Sequence, residues 1–333
     1  MSIDLFLRTK NQPTRRQIEK IIFPLGWKKA TYYSGYKGLS YYWFNENNYE
    51  STRGCWLFID YNPVENVPKD TKVVFHAYSN AGRSFADLEA QNNVIKQLKK
   101  AFLGSLYNPQ EGVCSYLYYE IPEFTVIERG CSIVYRNFIN NIITSKIAVQ
   151  DDIDEFNYKK ENLPWMLRFD KGIIINNLII PYIVSSIEEF LKNFFVIYVN
   201  NQESIQKNIL KKLDLHSFKN MYTKKVTIGD EYARLTSFQN IPKIISAFNE
   251  IEIDIEKILN VNKIFNKKEI NIKKVIAKYI TIRHKIVHEA FIDIEINKND
   301  ILTLIFATEN FIDEFKLYMK KNKNIIIDID EYL

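Results

Sequence analysis

The turn-forming residues of this chain crowd towards one end. Eight of its ten glycines lie at or before Gly130, and six of its nine prolines at or before Pro122. Glycine and proline punctuate short elements and weaken long helices. The first part is therefore predicted to consist of short elements and the remainder of long helices. That asymmetry divides the 333 residues into two domains, and the length alone already suggests more than one.

Short aromatic or β-branched runs fill the first part: DLFLRT from Asp4, ATYYSGY from Ala30, LSYYWFN from Leu39, CWLFIDY from Cys55 and KVVFHAY from Lys72. Each is bounded by Gly, Asn, Asp or Pro, the pattern of an antiparallel sheet. CSYLYYEIPEFTVI from Cys114 reads as one more strand. Pro13 and Thr14 open a helix through RRQIEKIIF. Ser84 with Asp87 marks another helix start, with a stripe through Leu88, Val94, Ile95, Leu98, Ala101 and Phe102 and a stop at Gly104. His76 falls in a strand.

After this the pattern is helical. IIPYIVSSIEEFLKNFFVIYV (179–199) places Pro181 in a first turn. ESIQKNILKKL, DEYARLTSFQNIPKIISAFNEI with a kink at Pro242, KKEINIKKVIAKYITIRHKIVHEA, and NDILTLIFATENFIDEFKLYMKK capped at Asn299 or Asp300 follow. DDIDEFNYKKENLPW from Asp151 is charged and rich in turn formers, and IIIDIDEYL at the end is a short strand or a tail. The expected fold class is α+β. An α+β domain with an antiparallel sheet covers 1–145, a connector 146–175, an all-α bundle 176–322 and a tail 323–333. The first domain shows no catalytic constellation and is expected to sense, bind or restrain.

Hydrophobic residues make up 46% and charged residues 26%, which excludes a disordered chain. A net charge of +5 permits a polyanionic partner without requiring one. Three cysteines without a CxxC pair suit a reduced, cytoplasmic setting. MSIDLFLRTK lacks the pattern of a secretory leader. The most apolar stretch, 172–187, is interrupted by Asn176, Asn177 and Pro181 and falls short of the roughly 18 residues that span a bilayer. No membrane association is expected.

Two of the four histidines stand in TIRHKIVHEA, residues 281–290. His284 and His288 are one helical turn apart and share a face. Zinc peptidases use such a pair as H-E-x-x-H, in which the glutamate is the general base. Here Lys285, Ile286 and Val287 intervene, so the base is missing and an ammonium adjoins the would-be metal. Neither a metal nor another cofactor is expected. RNA cleavage by its own 2′-hydroxyl needs instead a base, an acid and a cation for the charged phosphorane. Histidine suits the first two roles, and arginine forks onto phosphate oxygens.

Arg283-His284-Lys285-Ile286-Val287-His288 resembles the R-x4-H motif of HEPN-domain ribonucleases. These are helical bundles with the motif on a late helix, usually with a polar residue directly after the arginine. The leading SSIEEFLKNFF helix, the intermediate helices, the motif and a closing helix are similar to the family's order over roughly 175–322. The resemblance implies a metal-independent endoribonuclease acting on RNA. His288 would serve as base or acid, Arg283 would hold the scissile phosphate, and His284 would assist. Lys285 would contribute to substrate binding.

The resemblance also implies a homodimer, because residues five apart on an ideal helix point about 140° from one another and two chains ease that offset. A toxin or phage-defence effector of a bacterium is the corresponding role, with the first domain in control and a protein antitoxin or phage trigger as partner. Glu188 and Glu189 either are solvated or orient motif side chains, as outer groups orient histidines elsewhere. In YSNAGRSF (78–85), Arg83 and the backbone N–H groups of a helix start offer an anion site. The Tyr-rich strands are either sheet faces or stacking platforms. The competing function is a non-catalytic HEPN-like dimerisation or binding protein that recognises nucleic acid or a protein partner.

Overall fold

The computed structural model describes residues 2–30, 38–61, 63, 68–118, 122, 124–150 and 170–329. The chain divides into two compact units. One runs to Arg129 and includes Ile329, and the other runs from Gly130 to Asp328. The α+β class is as expected: a six-stranded antiparallel sheet is followed by a mostly helical region.

In the first unit the strands are β1 (Ile3–Thr9), β2 (Lys28–Lys29), β3 (Leu39–Trp43), β4 (Cys55–Tyr61), β5 (Val73–Ser79) and β6 (Ser105–Tyr107), in the order β2-β3-β4-β5-β1-β6. Side chains alternate across a strand. Leu5, Ala77 and Leu57 lie in register and are buried on one face. They pack in one core with residues of α1 (Arg15–Ile22) and α2 (Phe85–Phe102). On the opposite face Phe6 stacks on His76 at 4.3 Å, and His76 Nε2 lies 2.7 Å from Asp4 Oδ1.

Asp87 does more than close the Ser84 capping box. Its buried carboxylate accepts from Ser51 Oγ at 2.7 Å, Arg53 N at 3.1 Å, Gly54 N at 3.1 Å and Ser84 N at 3.0 Å. One side chain thus ties the β3–β4 connection to the start of α2. Gly104 lets the chain turn back: its φ is +129°, and a Cβ there would stand 2.4 Å from the Arg8 carbonyl oxygen.

Most of the strand expected from Ala30 lies outside the described residues. The strand expected from Cys114 is not formed among its described residues. Leu117 is instead buried in the core, and its backbone bonds the Asn92 side chain in both directions, at 3.0 and 2.8 Å. Those backbone groups are satisfied without a ladder.

The second unit is built around α4 (Lys171–Asn200), which packs on α7 (Ile228–Leu235), α10 (Ile272–Glu289) and α11 (Lys298–Lys323). The other helices are α3 (Val126–Gln150), which crosses the unit boundary, α5 (Glu203–Leu210), α6 (Leu215–Lys224), α8 (Ile241–Glu250) and α9 (Ile255–Leu259). Aromatic rings fill the centre: Phe194 meets Phe315 edge to face at 4.8 Å, and Phe190 meets it at 5.5 Å. By length and composition α4 could cross a membrane. From Ile183 onward, however, it supplies Val184, Phe190, Leu191, Phe194 and Phe195 to this core.

Several elements differ from the sequence expectation. Asp170 caps α4 through the Ile173 amide at 3.0 Å, so the helix starts earlier than 179 and Pro181 lies inside it. The predicted kink at Pro242 is a break: α7 ends at Leu235, and Pro242 stands in the first turn of α8 behind an Asn240 cap. KKEIN does not join the motif helix. Its last four residues form β8 (Lys268–Asn271), paired with β7 (Asn262–Phe265) across Asn266 and Lys267, whose φ values are 49° and 63°. Two left-handed residues define a primed hairpin turn. The cap of α11 is Asn297, with Asp300 completing its capping box.

The expected boundary at 145/146 falls within α3. Residues 151–169 of the expected connector lie outside the described residues, as do 330–333 of the tail. The described part of IIIDIDEYL forms no strand, and Ile325, Ile327 and Ile329 are buried.

Candidate active site on the penultimate helix

Ile272, Ile276, Tyr279 and Ile286 form the buried stripe that seats α10. Asn271 caps its start through the Lys274 amide at 3.0 Å. The Tyr279 hydroxyl donates to the Asp300 carbonyl at 3.0 Å and ties the helix to α11. The far end stops at Ala290, in the left-handed region at φ 49°, whose N–H returns to the Lys285 carbonyl. Asn177 holds the loop beyond. Its side chain donates to the Asp293 carbonyl at 2.9 Å and accepts from the Asp293 amide at 2.8 Å. The helix end that carries the histidines is thus fixed from both sides.

His284 and His288 are both exposed, and their ring centroids lie 4.5 Å apart with the planes inclined by 45°. Lys285 beside them is exposed as well. Arg283 is turned the other way. Its side chain is 14% exposed, and Nη2 lies 4.0 Å from Glu188 Oε2 on α4. Gln239 Nε2 donates to the same Glu188 oxygen at 3.2 Å. Arg283 Nε and Glu188 Oε1 are buried and have no hydrogen-bond partner among the described residues. Burial pushes the Glu188 carboxyl above its ordinary range, while the Arg283 charge and the Gln239 hydrogen bond pull it back.

The structure therefore brings together His284 with His288, and Arg283 with Glu188. It does not bring Arg283 onto the face of His288. Glu189 is exposed and lines a different depression, beside Asn137 and Asn141 of α3. Arg83 belongs to the first unit, in the loop before α2. Among the described residues no three His, Cys, Asp or Glu side chains gather as metal ligands.

Two contributors escaped the sequence reading. Asn177 had a signal, because a buried amide inside GIIINNLIIPY must find partners. Gln239 had none, since it lies in the break that the sequence reading merged into one helix.

No family model matches the chain, and neither does any curated protein or solved structure. The chemistry follows from the side chains alone. Two adjacent imidazoles on an exposed helix end can exchange protons with a bound substrate near neutral pH. A guanidinium only partly matched by its carboxylate retains capacity for an anion.

Proposed function

We propose that the protein is a metal-independent endoribonuclease of the HEPN kind, acting as a toxin or defence effector in the cytoplasm. One histidine takes the proton of the 2′-hydroxyl as that oxygen bonds to phosphorus. The bond from phosphorus to the 5′-oxygen breaks, and a second histidine gives that oxygen its proton. The products are a 2′,3′-cyclic phosphate and a 5′-hydroxyl. Arg283 neutralises the phosphorane, and Lys285 holds the neighbouring backbone. The observation that carries this reading is the pair of exposed imidazoles on the same helix end as an incompletely matched arginine, which faces the other way in the single chain.

A homodimer fits this chemistry. Two rings with centroids 4.5 Å apart leave no room between them for a phosphoryl group and two hydrogen bonds of about 2.8 Å each. One histidine from each chain, across a two-fold axis, places base and acid on opposite sides. Val287 and Phe291, exposed next to the histidines, supply apolar surface for that contact.

The test compares purified wild type with His288→Ala and Arg283→Lys on total RNA in EDTA. Wild type is expected to cut RNA but not DNA and to leave a cyclic phosphate or the 3′-phosphate derived from it. His288→Ala is expected to be inactive, and Arg283→Lys severely impaired because an ammonium cannot fork onto phosphate. Full cleavage by His288→Ala, or strict dependence on added metal, overturns the proposal.

A second reading, a non-catalytic dimerisation or binding protein, is favoured by the inward turn of Arg283. Under it, Arg283→Lys lowers stability and no protein in the series cuts RNA.

A further inference from the structure

The exposed face of α10 carries a pattern that the histidine pair does not use. Lys274, Lys278, Thr281, Lys285 and His288 are all exposed and follow one another at steps of four, three, four and three. At 100° per residue they stay within a stripe about 80° wide, and from first to last they cover about 21 Å of helix. Arg283 lies on the opposite side, consistent with its burial against Glu188.

The stripe is cationic for almost its whole length. The only acid on α10 is Glu289, at the C-terminal end. Among the described residues neither Lys274 nor Lys285 has an ion-pair partner. Lys278 has a loose one, with Asp300 Oδ1 at 3.8 Å from Nζ. Lys273, off the stripe, is already matched by Glu256 at 2.5 Å. Apart from the inward-facing Arg283, the unmatched charge of α10 thus lies along the line that ends at the histidines.

We infer that this stripe is the path along which a single RNA strand lies as it enters the site, with Lys274, Lys278 and Lys285 each taking one backbone phosphate. Four residues of helix rise about 6 Å, comparable to one nucleotide step of an extended strand. Thr281 lies between two lysines, and because its hydroxyl donates to the Ala277 carbonyl at 3.1 Å, its oxygen is left to accept from a ribose hydroxyl. The narrowness of the stripe selects a single strand, since a duplex presents two phosphate rows and needs a wider cationic surface. The path takes its direction from the nuclease reading above, but its binding function stands without it.

The experiment reads binding apart from chemistry. Full-length wild type, Lys274→Gln/Lys278→Gln and Lys274→Arg/Lys278→Arg are titrated with a short, uncleavable 2′-O-methyl oligoribonucleotide over a range of salt. For single strands each neutralised phosphate contributes about 0.7 to the slope of log affinity against log salt. The wild-type slope is expected near −2, and the double Gln variant is expected to bind more weakly with a slope shallower by about 1.4. The Arg variant is expected to keep the wild-type slope. All three should share one melting temperature, because the changed side chains are exposed.

An unchanged slope and affinity in the Gln variant overturns the inference. Tighter binding of a duplex through the same lysines, or equal weakening with poly-glutamate as probe, overturns the assignment to a single RNA strand. Wild type that binds as expected yet cuts no RNA leaves the path standing and removes the nuclease reading instead.

Discussion

Arg283 faces Glu188 at 4.0 Å across the α10–α4 contact, and the guanidinium Nε and the second carboxylate oxygen both stay buried and unmatched. At that distance the pair is electrostatic and makes no hydrogen bond. A buried ion pair offsets its desolvation only when its geometry and accessory hydrogen bonds are good. This one is poised between holding the arginine and releasing it to an anion.

That balance makes stability depend on pH in a definite direction. The Glu188 carboxyl lies above its ordinary value of 4.5, mainly because of burial. A group whose pKa is raised by folding contributes stability below its unfolded pKa and loses it as pH rises through the folded one. Wild type is therefore expected to lose stability relative to Glu188→Gln as pH rises above 4.5. Denaturant midpoints for both proteins between acid and neutral pH check this, and parallel curves reject it. At neutral pH Glu188→Gln is also expected to cleave RNA more slowly, because Arg283 then loses the carboxylate that faces it.

Glu231 predicts the opposite trend. It is 1% exposed and accepts from Arg234 Nη2 at 2.7 Å and Arg234 Nε at 3.0 Å. The arginine hydrogen bond is the largest of the causes that bring its carboxyl down to about 2. Its contribution is present above the ordinary value of 4.5 and is lost as pH falls towards about 2. Arg234 is half exposed, so solvent screens the pair and the contribution is modest. Wild type is expected to be more stable than Glu231→Gln at neutral pH and to lose that margin as pH falls from 4.5 towards about 2, which denaturant midpoints followed by circular dichroism at a series of pH values check. A margin that does not change with pH counts against a depressed Glu231.

Asn177 links the histidine helix to the centre of the fold, so its loss should appear in both stability and activity. Asn177→Ala removes two hydrogen bonds to the half-buried Asp293 backbone, at a cost of about 1–3 kcal/mol. The melting temperature is expected to fall. RNA cleavage is expected to fall further than stability alone accounts for, because the loop that follows His288 loses its anchor. A variant that melts early yet cleaves normally when folded disconnects the anchor from the site.

Strands β1, β3, β4 and β5 and the site helix were legible because each carries its period locally: alternation in CWLFIDY, and a turn-spaced pair in RHKIVH; the short β2 (Lys28–Lys29) and β6 (Ser105–Tyr107) carry too few residues to show one. The helix α3 was missed, although its buried Cys131, Val134, Phe138, Ile142, Ser145 and Val149 keep a helical spacing throughout. Its β-branched composition and its Tyr and Phe obscured that period. The β7–β8 hairpin was read as helix because its turn is Asn266-Lys267, without the glycine that usually announces a primed turn. The inward turn of Arg283 was half visible as a 140° offset on an ideal helix. Its partner was one of two candidate glutamates, and only packing separates half-buried Glu188 from exposed Glu189.

The same offset yields the most decisive prediction. In one chain Arg283 faces α4 while His288 faces solvent, and two histidines 4.5 Å apart cannot bracket a phosphate. A site assembled from two chains takes His288 from one copy and His284 with Arg283 from the other, so that base and acid come from different copies and the dimer holds two equivalent composite sites. An Arg283→Ala chain and a His288→Ala chain are each expected to be inactive alone. Co-expressed with different tags and purified as the mixed dimer, they are expected to regain measurable RNA cleavage, because one of the two composite sites then keeps an intact set. Sedimentation should place the active species at twice the chain mass. A fully active monomer at assay concentrations, or a purified mixed dimer with no activity, shows that each chain works with its own Arg283 and His288.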